Sequence, residues 1–169
     1  VKLSVSQQAL RKYVHYNVAG IEGKKILVVD DNATNRNIFK NQLEQWKLVP
    51  TLASSGKQAI AILSQPSDFD LLLSDMQMPE MDGVQLGHTI RKLRPSLPII
   101  LITSMGDERS KSHQELFDSV LTKPVKQALL YKHILTQLRP QVTPTVEDEA
   151  RRKLQVEFAD QYPMSILIA

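Results

Sequence analysis

Short apolar runs alternate with longer amphipathic stretches between about residue 24 and residue 139. The runs are rich in Leu, Ile and Val, and a nearly continuous apolar run is typical of a strand buried on both faces of a sheet. The stretches between them carry apolar residues at helical spacing, bounded by Asn, Gly or Pro. The pattern predicts five strands: Lys25–Val29, Leu48–Ala53, Phe69–Ser74, Pro98–Thr103 and Ser119–Thr122.

A helix is predicted after each strand. The five helices are expected to begin at an Asn32 or Thr34 cap, at Gly56, at Val84, after Glu108 and before Leu129. The second ends before Pro66, the third stops at Pro95, and the fourth is weakly apolar and reaches about Leu116. Five successive strand–helix units predict an α/β fold, a doubly wound five-stranded parallel sheet with helices on both faces.

The segments on either side of this body differ from it in composition. Residues 1–22 hold one amphipathic stretch and a glycine-containing loop, and residues 140–163 pass from a Pro- and Thr-rich linker into a charge-rich helical pattern. Residues 164–169 repeat the apolar character of the first strand. The chain begins with Val1 and stops inside that apolar run. We therefore expect a fragment, with a domain at 23–139 between two linkers and the truncated first strand of a second, similar domain.

Composition excludes several classes of protein. The 169 residues include 42% hydrophobic and 23% charged side chains, which is ordinary for a globular domain, and the net charge is only +3. Scattered basic residues and few aromatics give no nucleic-acid footprint. The absence of Cys excludes disulfides, thiolate metal sites and a Cys nucleophile. There is no apolar run of membrane-spanning length and no signal peptide, so we expect a cytoplasmic domain.

Charged residues that could bind ligands or take part in catalysis follow three of the predicted strands. Asp30 and Asp31 come directly after the first strand, Asp75 after the third and Lys123 after the fifth. Strands of a parallel sheet end on one edge, so these residues are expected to converge in one crevice. Carboxylates that face a lysine suit a hard divalent cation and a phosphoryl group.

The carboxylates are candidate ligands of Mg²⁺, or of Mn²⁺. Magnesium takes hard oxygen ligands in octahedral geometry and keeps several waters. Asp31 and Asp75 are expected to supply one oxygen each, and Asp30 to hold a coordinated water. The backbone carbonyl of Gln77, just past the third strand, is a natural third protein ligand. The cation would also offset the mutual repulsion of the acids.

Asp75 is the candidate nucleophile. A carboxylate can attack phosphorus to give an aspartyl phosphate, and Asp75 alone follows the central strand and precedes an exposed loop. The Lys123 ammonium is expected to pair with one phosphoryl oxygen. The hydroxyl of Thr103, with Ser104 beside it at the end of the neighbouring strand, is expected to donate a hydrogen bond to another.

Several motifs together resemble the receiver domains of two-component signalling, over about Gly23 to Arg139. They are Lys25–Asn32 (KILVVDDN), Ser74–Pro79 (SDMQMP), Met81–Gly83, Thr103–Ser104 and Lys123–Pro124. The resemblance implies a (βα)5 flavodoxin-like receiver fold and a cis peptide bond before the proline. It implies the same roles for the acids, the threonine and the lysine as the chemistry above.

One position departs from that family. The family often has Tyr or Phe three residues before the lysine, where this chain has Val120. The coupling in which an aromatic ring moves behind the threonine hydroxyl is therefore not expected in its usual form, and Leu121 and Phe117 are the candidate replacements. The resemblance also assigns Gln77 and Met105 an influence on phosphoryl lifetime. The apolar Met105 predicts slower hydrolysis than a carboxylate there would give.

The flanks together with the resemblance predict part of a hybrid sensor histidine kinase, a phosphotransferase, with tandem receivers. The resemblance implies that segments outside this fragment anchor the parent in the inner membrane. The expected partners are a kinase core or phosphotransfer domain carrying phosphohistidine, and the adjacent receiver. The alternative is a pseudo-receiver that binds proteins without being phosphorylated. An aspartyl hydrolase of the haloacid-dehalogenase type is disfavoured, because it needs a general acid two residues beyond the nucleophile, where Gln77 stands.

Overall fold

Five parallel strands, flanked by helices, make up the computed structural model, which describes residues 20–66, 68–104 and 112–139. The strands are β1 (Lys25–Val29), β2 (Val49–Ala53), β3 (Leu71–Asp75), β4 (Ile99–Thr103) and β5 (Ser119–Thr122). The α-helices that lie wholly within the described residues are α1 (Ala33–Gln45), α2 (Gly56–Leu63), α3 (Gly83–Leu93) and α4 (Gln127–Leu138). The strand order is β2-β1-β3-β4-β5, so the predicted doubly wound parallel sheet is confirmed.

Burial explains which strands lie in the middle of the sheet. All five residues of β3 and of β4 are buried, and four of five in β1. The outer strands β2 and β5 each hold one buried residue. A strand covered on both faces reads as a continuous apolar run, whereas an edge strand can carry polar side chains. The apolar density of each run in the sequence therefore indicates its place in the sheet.

Side-chain alternation divides the apolar residues between two clusters, one on each face of the sheet. Ile26 and Val28 of β1 face the cluster of α1 and α4, whereas Leu27 and Val29 face that of α2 and α3. The other central strands alternate in the same way. The helices thus cover both faces, as the strand–helix pattern predicts.

Side chains close the N-terminal ends of three helices. Asn32 caps α1 by accepting hydrogen bonds from the backbone N–H groups of Thr34 and Asn35 at 2.8 and 3.3 Å, so the first of the two predicted caps is confirmed. Ser55 caps α2. Asp82 and Gln85 form a reciprocal capping box at α3. Two of these caps directly follow the carboxyl ends of β1 and β2.

Two predicted elements differ in the structure. The third strand was expected at Phe69–Ser74 but begins at Leu71, because the Asp70 carboxylate accepts the Lys25 backbone N–H at 2.8 Å and binds Lys24. The fourth helix was expected to reach about Leu116. Residues 105–111 of that segment lie outside the described residues, and Ser112 is α-helical. Only the predicted last part, Gln114–Leu116, differs, because it forms a 3-10 turn.

Other predictions fall on residues 1–19 and 140–169, which lie outside the described residues. These are the N-terminal amphipathic stretch, the second linker with its helix, and the truncated strand of a second domain. In the described ranges, no helix is both long and apolar enough to cross a bilayer.

Candidate functional site

The three predicted carboxylates meet at the carboxyl edge of the sheet. One oxygen of each of Asp30, Asp31 and Asp75 lies within 4.8 Å of the others. The sheet explains this convergence, because β1 pairs with β3 in a register that places Val29 opposite Ser74. Between β1 and β3 the strand order also reverses, and ligands of doubly wound sheets bind outside the carboxyl ends at such a point. This oxygen-only cluster fits a hard divalent cation.

Asp30 is the most enclosed of the three. It is 1% exposed, and its Oδ1 accepts the backbone N–H of Asn32 at 2.8 Å. The side-chain amide of Asn35 donates to the same carboxylate, at 3.0 Å to Oδ2 and 3.3 Å to Oδ1. Arg36 Nη1 donates to the backbone carbonyls of Asp30 and Asp31 at 2.7 and 2.8 Å. The first turn of α1 thus binds the side chain of Asp30 and the backbone carbonyls of both acids.

Sequence reasoning missed the roles of Asn35 and Arg36. A usable signal was present, because a helix capped at Asn32 places residues three and four positions later on its first turn, close to the chain that enters the cap. A donor at either position is therefore within reach of residues 30 and 31.

Burial raises the pKa of the Asp30 carboxyl above its ordinary value. The hydrogen bonds from Asn32 and Asn35 counteract this increase, the negative charge of Asp75 adds to it, and the Lys123 ammonium lowers the pKa again. The ionised form of Asp30 is thus costly in the metal-free fold, and a bound cation would reduce that cost.

Replacing Asp30 with Asn is expected to raise the thermal unfolding midpoint by a few degrees in EDTA at neutral pH. The folded-state pKa of Asp30 is raised, so ionisation destabilises the wild-type fold above that pKa, and the penalty fades as pH falls through it. The difference in unfolding midpoint between variant and wild type should become smaller as the pH is lowered toward about 4. Melting curves in a pH series measure this, and a gap that widens toward acid would contradict it.

Asp75 ends β3 and faces Lys123. Asp75 is 5% exposed, and its Oδ1 lies 2.8 Å from Lys123 Nζ. The same oxygen accepts the backbone N–H of Met76 at 2.9 Å, so neither contact engages Oδ2. The Lys123 side chain is about one-third exposed. The predicted approach of lysine to carboxylate is thus present in the fold.

A backbone hydrogen bond joins Thr103 to Lys123. The Lys123 N–H donates to the Thr103 carbonyl at 2.8 Å, and Thr103 is 4% exposed. Its hydroxyl contacts the carbonyl of the half-buried Ser104 at 3.4 Å, the long limit of a hydrogen bond. The peptide bond from Lys123 to Pro124 is cis, as predicted. Met105 lies outside the described residues.

Phe117 and Leu121 are the candidate replacements for the aromatic residue that the family often has at the position of Val120. They lie on different faces of the sheet. Val120 packs against the cluster of α2 and α3, which contains Phe117. Leu121 belongs to the opposite cluster, with α1 and α4. Alternation along β4 places Thr103 on the same side as Leu101, which is in the Phe117 cluster. Phe117, rather than Leu121, therefore shares the face of the threonine.

The loop after β3 is fixed at its C-terminal end. The Gly83 N–H donates to the Met76 carbonyl at 2.9 Å, which closes the loop back onto the strand end. Met81 packs over Gly56 so closely that a Cβ there would lie 2.7 Å from the methionine sulfur. An exposed ion pair of 2.6 Å joins Glu80 to Lys57. The Gln77 side chain is exposed in this loop.

Fold and site together define a doubly wound α/β domain with an acidic pocket at the strand ends, faced by a lysine. The response regulator receiver domain model matches residues 26–135, and the chain belongs to that family. The predicted receiver class and its fold are thereby confirmed.

Known relatives place such domains in histidine kinases. The sensor histidine kinase RcsC of Escherichia coli (strain K12) is 38% identical over 102 residues, covering 59% of this chain and 11% of that protein. Hybrid signal transduction histidine kinase I of Dictyostelium discoideum is 31% identical over 125 residues, covering 68% of this chain and 7% of that protein. The chain thus spans a small fraction of either kinase.

A solved structure agrees with the fold. The receiver domain of sensor histidine kinase PA1611 from Pseudomonas aeruginosa PAO1, with a magnesium ion coordinated in its active site cleft, superposes with a TM-score of 0.63. It is 28% identical in sequence, and the match covers 69% of this chain and 98% of that one.

Proposed function

We propose that Asp75 accepts a phosphoryl group from a phosphohistidine and passes it on or holds it as a signal. The observation that carries this proposal is the buried Asp75 carboxylate, which lies both in the acidic cluster and 2.8 Å from the Lys123 ammonium. A nucleophilic carboxylate, a cation-binding set and a fixed positive charge are the groups that phosphoryl transfer needs.

The step involves one bond formed and one broken. An oxygen of Asp75 attacks phosphorus, the P–N bond to the donor histidine breaks, and the imidazole leaves with the electron pair and takes up a proton. Lys123 pairs with an oxygen of the transferred group, and Thr103, with Ser104 beside it, donates a hydrogen bond to another. Asp75 is already buried and held by Lys123, so little reorganisation precedes attack.

Magnesium, or manganese, is the proposed cation. Asp30, Asp31, Asp75 and the Gln77 carbonyl would hold it, and it would neutralise charge on the transferred group. Support comes from the oxygen-only cluster and from the magnesium ion in the related receiver of Pseudomonas aeruginosa.

The wider setting of the domain is part of the same proposal. We propose that the domain, residues 23–139, belongs to a hybrid histidine kinase in the cytoplasm, with residues 140–163 as a linker and 164–169 as the start of a second receiver. Its partners would be the kinase core or a phosphotransfer domain that carries phosphohistidine, and the adjacent receiver. Support is the similarity to two histidine kinases.

Intact mass measurement tests the acceptor function. Incubation with phosphoramidate and Mg²⁺ is expected to add one phosphoryl group, and EDTA is expected to prevent the addition. Peptide mapping should place the group in the segment that contains Asp75. Mg²⁺ binding without any mass gain would contradict the proposal and favour the alternative of a pseudo-receiver that binds proteins without being phosphorylated.

A further inference from the structure

Two side chains on the first turn of α1 bind the acidic pair. Asn35 donates its amide to both oxygens of the Asp30 carboxylate, and Arg36 joins the carbonyls of Asp30 and Asp31 through one nitrogen. We propose that Asn35 and Arg36 are positioning residues, which set the affinity of the pocket for its divalent cation without touching the cation. This inference rests on the proposed role of the pocket as a metal site.

Asn35 restricts the orientation of the Asp30 carboxylate. That carboxylate is 1% exposed and receives three contacts, two from Asn35 and one from the Asn32 N–H. Rotation of the Asp30 carboxylate about its Cβ–Cγ bond would break the hydrogen bonds from Asn35. A group that is already oriented loses less conformational entropy when the cation arrives, so binding is tighter. Hydrogen-bond partners of metal-binding carboxylates commonly act in this way.

Asn35 itself is placed by the cap of the helix. Asn32 Oδ1 accepts the backbone N–H of Asn35, while the Asn32 N–H donates to Asp30. Asp30, Asn32 and Asn35 therefore form a closed ring of hydrogen bonds where β1 passes into α1. The ring sets the distance between the helix and the acidic pair.

Arg36 fixes the two peptide groups that carry the acidic side chains. Its Nη1 bonds of 2.7 and 2.8 Å go to consecutive carbonyls, which restrains rotation of the backbone at Asp31. Asp31 needs this restraint most, because its own side chain is exposed. Arg36 also brings a positive charge close to a cation site, and simple repulsion would weaken binding. Positioning by Arg36 therefore raises the affinity for the cation, whereas its charge lowers that affinity. The proposal is that the effect of positioning is the larger one.

Replacement of each residue tests the proposal by calorimetric titration with Mg²⁺. Asn35→Ala and Arg36→Met, which keeps an unbranched stem, are each expected to raise the Kd for Mg²⁺ about tenfold. Asn37→Ala, at an exposed position of the same helix, is the control and should leave the Kd unchanged. With phosphoramidate, the Mg²⁺ concentration for half-maximal rate should rise in the two variants, while the rate at saturating Mg²⁺ stays near that of the wild type.

The outcomes separate this inference from the proposed function. If the wild type binds no Mg²⁺, the proposed function fails. If it binds Mg²⁺ and both variants bind equally well, only the inference fails, and a lowered melting temperature would then reflect a purely structural role. Tighter binding by Arg36→Met would show that charge dominates and would overturn the role of Arg36. If Asn35→Ala does not fold, as circular dichroism would reveal, Arg36→Met decides by the same criteria.

Discussion

Asp75→Asn is expected to abolish phosphoryl incorporation completely, with no mass gain at any Mg²⁺ or phosphoramidate concentration. The amide has nearly the shape of the carboxylate but no anionic oxygen to attack phosphorus. Loss of a nucleophile removes the covalent route, whereas loss of a metal ligand only weakens binding of the cation. The variant should stay folded, and its melting curve checks this.

Asp31→Asn is the matched control for that variant. It removes a carboxylate of the same cluster but leaves Asp75 intact. Phosphorylation of Asp31→Asn should be slow at low Mg²⁺ and recover, at least partly, when Mg²⁺ is raised. Asp75→Asn should not recover. A phosphoryl group on Asp75→Asn at the wild-type rate would show that the acceptor is elsewhere.

Gly83→Ala is expected to destabilise the domain by about 3 kcal/mol and to slow phosphorylation. A Cβ on Gly83 would lie 2.6 Å from Leu101 Cδ1 and 2.8 Å from the Asp75 carbonyl oxygen. The backbone oxygen cannot rotate away, so α3 or the end of β3 must move. The helix-propensity gain of Ala over Gly, about 0.5–1 kcal/mol, is too small to offset this. Urea denaturation measures the loss of stability.

Gly87→Ala provides the comparison within the same helix. There the nearest atoms to a Cβ belong to the Phe117 ring, at 3.0 and 3.2 Å, and a side chain can shift by a few tenths of an ångström. We expect a much smaller loss of stability and phosphorylation close to that of the wild type. Equal effects of the two substitutions would refute a special role for the close approach at Gly83.

Strand-end chemistry could be predicted from the sequence because it follows from local rules. Apolar runs predicted the strands. Because parallel strands end at the same edge of a sheet, the positions of the acids and of Lys123 predicted that they meet there. The start of β3 was missed because the Asp70 side chain binds the Lys25 N–H, a contact between residues 45 positions apart. Asn35 and Arg36 were missed because neither side chain is apolar or acidic. The tight contact at Gly83 depends on the packed positions of Leu101 and Asp75, which no local pattern encodes.

The two apolar clusters share the strands β1, β3 and β4, because alternate residues of each strand face opposite sides. Neither layer of helices can therefore detach while the other keeps an intact sheet. The domain is expected to unfold as one cooperative unit, with no stable half-folded state. The acidic pocket lies at the carboxyl ends of β1 and β3, so its geometry is kept for as long as the whole domain stays folded. A mutation deep in either layer would thus reduce the amount of active domain without changing the chemistry of the molecules that remain folded.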